Sequence, residues 1–241
     1  MRMNPPEQVS QEKITFDVSE LEPLLAGVAT ELVPYEPTYL ELKDGKQMLV
    51  REARKEEAPL ILSYLKKMVD VERDFYDIVG ARTYAEILGW MRNRIKDHYC
   101  LVGLIDGELA GLANGRMINS KINLSYHTMA FRRGGRIGAA LYFAKCQYAL
   151  EKLGQDEFWA TYESYNGLKR WGIGMAQPSY PWPEVQHELG GAKVFYVRKD
   201  YWYRTVKKYL EDMIGTTLKT NPSQELIKAN ENMTVPAEIM V

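Results

Sequence analysis

The segment from Tyr99 to Ser164 constrains the fold more than any other part of the chain. It begins with "YCLVGLIDGELAGLANGRMI", where two apolar runs flank Asp106-Gly107, a dipeptide typical of a tight hairpin turn. The strand pattern "INLSYHTMAF", the helix pattern "IGAALYFAKCQYALEKLG" and the strand pattern "EFWATYES" follow. A strand, a helix and a second strand in this order form a crossover, which requires the two strands to run parallel. The chain must therefore combine an antiparallel meander with a parallel pair.

Further strands and helices are predicted on both sides of this segment. "TYLELKDGKQMLVREA" predicts two strands around Asp44-Gly45. Helices are predicted over residues 55–75, with Pro59 in the first turn, and over 83–95, with Thr83 as the N-cap. After the crossover we expect helices near Leu168–Trp171 and Glu184–Leu189, a strand over 192–204 and a helix over 205–214. The predicted fold class is α+β, with a mixed, mostly antiparallel central sheet flanked by helices.

Three parts are expected along the chain. Residues 1–45 read as an N-terminal extension, with one apolar helix over 19–32 that Ser19 could cap before prolines break the pattern. Residues 46–206 carry the regular patterns and form the main domain. Residues 207–241 begin with a helix and continue, from about Leu218, as a polar tail that we expect to be mobile because it has no core to join.

Composition excludes several classes of protein. The chain has 241 residues, of which 46% are hydrophobic and 26% charged, close to the average for soluble globular proteins. Its net charge of −1 gives no general basic surface for nucleic acid, so any anion site must be local. No apolar run could span a membrane and the N-terminus has no apolar signal region. Cys100 and Cys146 lack metal-like spacing and fit a reduced, cytoplasmic protein with buried thiols, with a single structural disulfide as the less favoured alternative.

The stretch "FRRGGRIGAALY" joins the first strand of the crossover to its helix. Glycines before a helix let the backbone approach an anion, and the helix N-terminus offers unpaired N–H groups and a positive dipole end. The spacing fits neither the dinucleotide-binding glycine pattern nor the P-loop, which ends in Lys-Ser/Thr. A solvated basic turn is the competing interpretation.

The same stretch resembles the signature of the GCN5-related N-acetyltransferases (GNATs), which is a strand, Arg/Gln-x-x-Gly-x-Gly/Ala and a helix. Arg133 then takes the first position and Gly138 the last, while Arg136 departs from the family by occupying the middle glycine position. "LVREARKEEAPLILSYL", "GLIDGELAGLANG" and "HELGGAKVFYVRKDY" resemble the family's first strand and helix, its next two strands and its closing element. The order of these parts is correct over residues 48–205.

The resemblance implies that strands four and five splay apart and admit acetyl-CoA or another acyl-CoA as co-substrate. The pantetheine arm would lie along Thr128, Met129 and Ala130, and Asn166 would contact the cofactor. The pyrophosphate would sit on the loop residues Arg133, Gly134, Gly135, Arg136, Ile137 and Gly138. If the backbone at Arg136 requires φ > 0, arginine is costly there.

The resemblance also implies direct attack of an amine on the thioester, with a base that removes the amine proton. The candidate bases are His127 on strand four and Glu163 at the end of strand five, and the candidate acids are Tyr165 and Tyr180. His127 could instead fill a half-buried strand face, and Glu163 could be a solvated strand end. Strand alternation predicts that either Glu163 or its two neighbours face the cleft, but not both.

The leading interpretation is an N-acyltransferase, and a small-molecule amine is favoured over a protein as its acceptor. A non-catalytic CoA-binding module of the same fold is one alternative, and the substitution at Arg136 favours it. An N-acyl amino acid synthase that uses an acyl-carrier protein as donor is another. We expect no nucleic-acid or membrane partner and no metal, and a homodimer through the N-terminal extension remains open.

Overall fold

The computed structural model describes residues 32–42, 44–175, 177–180 and 194–239. The helices predicted over 19–32 and 184–189 lie outside the described residues, apart from Leu32. The described residues form one sheet of nine strands in the order β7-β8-β6-β5-β4-β3-β2-β1-β9. The strands are β1 Thr38–Glu41, β2 Gln47–Glu52, β3 His98–Ile105, β4 Glu108–Met117, β5 Ile122–Ala130, β6 Glu157–Ala160, β7 Ser179–Tyr180, β8 Val194–Arg198 and β9 Lys219–Thr220.

Helices lie between these strands in chain order, and the last helix follows β9. They are α1 Ala58–Met68, α2 Tyr76–Met91, α3 Ile137–Gln147, α4 Tyr165–Gly167, α5 Lys199–Tyr201, α6 Lys207–Ile214 and α7 Gln224–Ala229. π-helical turns extend α3 through Tyr148–Lys152 and α4 through Leu168–Ile173, and Trp202–Val206 joins α5 to α6. None of the helices in the described part of the chain is long and apolar enough to cross a bilayer.

The predicted fold class is confirmed. β5 and β6 pair in parallel, and every other pair of neighbouring strands in the described sheet is antiparallel. The hairpins at Asp44-Gly45 and Asp106-Gly107 form as predicted, with Gly45 and Gly107 at φ 80° and 79°. Pro59 lies in the first turn of α1, and Gly154 follows the third helix at φ 72°.

Apolar side chains cover both faces of the sheet. On one face α1 and α2 pack against the alternate residues of β3 and β4, and on the other face α3 and α6 pack against the remaining ones. β3 is buried along its whole length, as expected for a strand with helices on both sides. Cys100 and Cys146 are buried free thiols, one in each core.

Several predicted boundaries are wrong. Thr83 is not an N-cap, because α2 begins seven residues earlier and the Thr83 hydroxyl donates back to the Val79 carbonyl at 2.7 Å, a mid-helix bond. The strand predicted through Ser164 ends at Ala160. The strand predicted over 192–204 becomes helical from Lys199. In both strands β-branched and aromatic residues extend the strand pattern beyond its hydrogen-bonded part.

The segment after Leu218 is not a polar tail without a core. β9 pairs with β1, and Leu218, Asn230 and Met233 are buried. Thr234 accepts a backbone hydrogen bond from Leu109 and donates one to Gly107, which ties the segment to the β3–β4 turn. The sequence does not predict these contacts, because the apolar residues of this segment are sparse and irregularly spaced. The boundaries of the three predicted parts stay a prediction, although β1, from the predicted extension, is also a strand of the sheet.

Gly111 sets how closely β4, β5 and α3 approach one another. A Cβ atom on it would lie 2.4 Å from the Met129 carbonyl oxygen and 2.7 Å from Leu141 Cδ1. We predict that Gly111→Ala lowers the free energy of unfolding by about 3 kcal/mol. The matched control is Gly89→Ala in α2, where a Cβ meets nothing within 4 Å; it should stabilise by about 0.5–1 kcal/mol. Denaturant unfolding measures both, and a stable Gly111→Ala protein would contradict the packing argument.

Candidate active site

The strands β5 and β6 separate at the centre of the sheet. Their parallel pairing runs from Ile122↔Glu157 to Ser125↔Ala160 and then stops. Immediately beyond, β5 carries a bulge, because Tyr126 and His127 together oppose the single residue Asn114 of β4. A bulge bends its strand and increases the local twist. The result is a gap between β5 and the residues after β6, with a cavity of about 70 Å³.

His127 lies on the bulge and lines this cavity. Its Nδ1 lies 2.9 Å from Oε2 of Glu86 on α2. Because an ionised carboxylate only accepts hydrogen bonds, Nδ1 carries a proton, and in the neutral form of the ring the lone pair is on Nε2. Nε2 is buried and has no hydrogen-bond partner among the described residues. The ring is therefore held in the tautomer of a proton acceptor whose free nitrogen faces the cavity.

Asn114 fixes this arrangement through its side chain. Its Oδ1 accepts a hydrogen bond from the backbone N–H of His127 at 3.0 Å, so its Nδ2 is the donor to Glu86 Oε2 at 2.8 Å. Nδ2 also lies 3.3 Å from Nε2 of His98, which is then an acceptor. Burial lowers the pKa of His98 to about 3, so that ring stays neutral. The amide thus orients both the catalytic candidate and its carboxylate.

Glu163 approaches the same ring from the opposite side of the gap. Its Oε2 lies 3.9 Å from His127 Nε2, while its Oε1 accepts a hydrogen bond from Arg82 of α2 at 2.6 Å. The Glu163 side chain is 8% exposed, whereas that of Arg82 is 31% exposed. The ion pair joins α2 to the segment after β6 and places a carboxylate beside the free nitrogen.

A cluster of hydroxyl groups closes the inner wall of the cavity. The hydroxyls of Tyr142 and Tyr162 lie 2.9 Å apart, and Gln177 bonds to both. Burial raises the pKa of both tyrosines, so they remain protonated and can donate. Trp171 stacks on the Tyr142 ring with centroids 4.8 Å apart.

The loop before α3 has an unusual backbone. Gly134, Gly135 and Arg136 follow one another at φ 86°, 56° and 60°. Arg136 is the N-cap residue of α3, so arginine stands where the backbone is left-handed, at a cost of about 1–2 kcal/mol. Its side chain does not cap the helix, and the first turn contains no acidic residue. The first N–H groups of α3 are thus left for another acceptor, which suits an anion.

An open cleft of about 630 Å³ lies beside this loop and adjoins the smaller cavity. Five arginines line it, and one acidic residue, Asp74, is among its lining residues. The arginines are Arg73, Arg132, Arg133, Arg136 and Arg170. A positive cleft with a free helix N-terminus matches a ligand that carries several phosphate charges.

The edge of β5 offers backbone groups to the same cleft. The backbone N–H of Phe131 donates to the Ala110 carbonyl of β4. In an antiparallel pair, residues whose peptide groups point to the partner strand alternate with residues whose peptide groups point away from it. The peptide groups of Thr128 and Ala130 therefore face the gap. The Met129 side chain is buried in the core between the sheet and helices α1 and α2, and it does not line the cleft. Thr128 also has a buried hydroxyl without a hydrogen-bond partner among the described residues.

The structure brings most of the predicted residues together, but not all. Arg133, Gly134, Arg136, Ile137, Gly138 and Asn166 line the cleft, together with Thr128 and Ala130. Gly135 packs towards Leu42 instead. Tyr165 is 66% exposed and lines neither cavity. The Tyr180 side chain lies outside the described residues.

Two contacts at the mouth of the cleft were not foreseen. Asp74 Oδ2 accepts a hydrogen bond from the Asn166 amide at 3.0 Å, and its Oδ1 accepts one from the backbone N–H of Tyr165.

The alternation predicted after β6 is wrong: Tyr162, Glu163 and Ser164 all line the inner cavity, because the strand has already ended there.

Sequence reasoning missed several residues of the site. They are Arg82, Glu86, Asn114, Lys145 and Tyr162. Arg82 and Glu86 are four residues apart on α2, an ordinary spacing for a solvated helix face. The clearest available signal was Lys145, a single charged residue within the apolar run "AALYFAKCQYAL".

Lys145 lies on α3 and is completely buried. Its Nζ donates to the backbone carbonyls of His127 at 3.0 Å and of Asn114 at 3.3 Å. Burial lowers the pKa of this amine to about 7, although nearby Cys146 and Glu86 act in the opposite direction. The amine is therefore substantially neutral under physiological conditions.

This pKa shift predicts how stability depends on pH. The unfolded chain binds the Lys145 proton up to its ordinary pKa, whereas the folded chain releases it above about 7. Stability should therefore rise with pH in that window and be lowest below it. Relative to Lys145→Met, the wild type should gain about 2 kcal/mol in unfolding free energy between pH 7 and pH 9. Urea unfolding of both proteins at the two pH values measures the gain; parallel pH dependences would contradict the shift.

No protein family model matches the chain, and no curated protein matches it significantly. Solved structures do match. The RimJ protein of Mycobacterium smegmatis, solved in complex with CoA-disulfide, has a TM-score of 0.54 and 12% identity, with 78% of this chain and 98% of that chain covered.

Two further structures give the same result. FdhC, a nucleotide-linked sugar GNAT solved in its apo form, has a TM-score of 0.51 and 9% identity, over 73% of this chain and 97% of that one. The GNAT domain of PAT from S. lividans has a TM-score of 0.50 and 12% identity, over 70% and 99%. At such identities the likeness establishes the fold alone. The chain has the GNAT fold, in agreement with the sequence resemblance.

Proposed function

We propose that this protein is an acyl-CoA-dependent N-acyltransferase that moves a short acyl group to the amine of a small molecule. The observation that carries the proposal is His127, whose free Nε2 faces the gap between β5 and β6 while Glu86 holds its Nδ1 proton. A buried, fixed imidazole with an open nitrogen is the arrangement of a general base.

The chain's own residues account for the movement of protons. His127 Nε2 takes the proton that the acceptor nitrogen loses as it bonds to the thioester carbon. Glu86 stabilises the imidazolium that forms, as a carboxylate on Nδ1 does in other dyads. Glu163, 3.9 Å from Nε2, offers a second carboxylate for an incoming ammonium group, which releases one proton to solvent to free its lone pair before it attacks. The thiolate leaves as the C–S bond breaks, and the neutral hydroxyls of Tyr142 and Tyr162 are candidate donors of its proton.

The cleft beside the loop is suited to the donor. The free N–H groups at the start of α3 would hold the pyrophosphate, and the five arginines would balance the remaining charge of coenzyme A. The peptide groups of Thr128 and Ala130 would pair with the pantetheine amides. Coenzyme A supplies the activated acyl group as a thioester. Of the structures compared, RimJ was solved with CoA-disulfide, which is consistent with this use of the fold.

The ordered constellation at His127 argues against the non-catalytic alternative, since a binding module needs no imidazole with a fixed tautomer. The arginine-lined cleft argues for coenzyme A as the donor, because a carrier protein brings the same pantetheine arm without the adenosine phosphates. Activity with acetyl-CoA over a panel of small amines tests the proposal. Calorimetry that detects no binding of coenzyme A would sink it, and binding without turnover would favour the non-catalytic module.

Substitutions at Gly138 can distinguish the effect of side-chain charge from that of side-chain size on coenzyme A binding. A Cβ on it would meet only Ala130 Cβ at 3.7 Å, an ordinary contact, so a side chain can be accommodated. We predict that Gly138→Asp weakens coenzyme A binding by a factor on the order of 100, because a carboxylate would face the phosphates. Gly138→Asn, of equal size and no charge, should keep most of the affinity. Calorimetric Kd values decide, and equal losses in both variants would point to sterics instead.

His127→Gln tests the base. We expect kcat to fall by about 10²–10⁴-fold while the affinity for coenzyme A is unchanged, since the side chain acts on the acceptor proton. Glu86→Gln should lower kcat in the same direction but less, because the ring remains and only its tautomer and charge are less well supported. Steady-state kinetics with saturating acetyl-CoA measure both. Full activity in His127→Gln would assign the base elsewhere, with Glu163 next in line.

A further inference from the structure

Lys145 is a buried amine that the proposed reaction does not use. Its side chain has no solvent exposure, and lysine is almost never fully buried unless it is paired. Its hydrogen bonds in the described structure go to two backbone carbonyls and to no carboxylate. It reaches them from α3, on the face of the sheet opposite α2 and Glu86. A costly group in this position calls for an explanation beyond packing.

The two carbonyls belong to the bulge of β5. One is that of His127 and the other that of Asn114, the residue that the bulge opposes. A bulge disrupts the ladder and leaves an extra residue unpaired. A buried carbonyl without a donor costs free energy. The Lys145 amine supplies those donors, and a neutral amine has two N–H groups for the two acceptors.

The backbone of His127 is consequently held at both of its polar groups. Its N–H donates to the Asn114 side chain, and its C=O accepts from Lys145. The ring is held separately at Nδ1 by Glu86. These three contacts come from β4, α3 and α2. Together they leave Nε2 as the one polar atom of the residue that is directed at the cavity.

We propose that Lys145 is a positioning residue of the active centre, which holds the bulge of β5 so that the His127 imidazole faces the gap. The inference rests on the proposed function, because it assigns the role by reference to His127 as the base. It assigns no chemical step to Lys145, whose Nζ is shielded from the cavity. Its effect is on geometry, and a displacement of about 1 Å can cost about 100-fold in rate.

Lys145→Met tests the inference, because methionine fills a similar volume without a donor. The matched control is Lys152→Met, a change to the half-exposed lysine of the following turn, which pairs with Glu36. We expect kcat of Lys145→Met to fall by about 10- to 100-fold, with the Kd for coenzyme A unchanged and the protein folded. The Lys152→Met protein should match the wild type. Unchanged kcat in Lys145→Met would overturn the inference, as would equal losses of kcat and coenzyme A affinity.

A second measurement does not depend on activity. The chain has three histidines, so ¹⁵N-histidine NMR of the unliganded protein can follow His127, assigned with His127→Gln. We expect distinct Nδ1–H and bare Nε2 signals in the wild type and averaged signals in Lys145→Met. Identical His127 signals in both proteins would overturn the positioning role. If the wild type acylates no amine, the proposed function fails, and the NMR comparison still decides whether Lys145 orients the ring.

Discussion

The site depends on one irregularity, the extra residue of β5 opposite Asn114. Regular parallel pairing would carry β5 and β6 on together and close the sheet. The bulge ends that pairing after Ser125, and the peptide groups of Thr128 and Ala130 face the gap. The same one-residue insertion places His127 at the widening. One local break in the ladder therefore creates both the space for a ligand and the group that acts on it.

The polar groups around the bulge explain why such a break is tolerated in a buried strand. Asn114, Lys145 and Glu86 satisfy the backbone and ring of His127 from three different elements. A buried polar network is stabilising only when its members are satisfied, and otherwise it is costlier than an apolar core. His127 Nε2 and Thr128 Oγ1, which have no partner among the described residues, both belong to residues that line the cavity. These two unsatisfied atoms lie where a substrate would bring partners.

The sequence was informative where a local pattern decides the structure. The Asp106-Gly107 turn, the crossover and the glycine-rich loop depend on turn chemistry and on periodicity, so the fold class and the loop could be predicted from them. The pairs Glu86–His127 and Lys145–Asn114 could not, since 41 and 31 residues separate their partners and only the packing of α2 and α3 on the sheet brings them together. The end of β6 was missed because "TYES" continues a strand pattern after its last partner is lost. The sequence predicts that arginine is costly at position 136 only if the backbone there has φ > 0, and the structure shows φ 60° at this residue.

The short strand β9 protects the sheet against association with other sheets. It covers the outer edge of β1 through Thr38↔Thr220 and Tyr39↔Lys219, and the exposed Lys219 stands at that edge. An uncovered edge strand is a template for pairing with another chain, and a short strand with a charged side chain is a common defence. Removal of the segment after Ile214 would uncover β1 and the apolar surface beneath Met233. A protein shortened in this way would aggregate through its sheet edge, even though every residue of the cleft and the cavity would still be present.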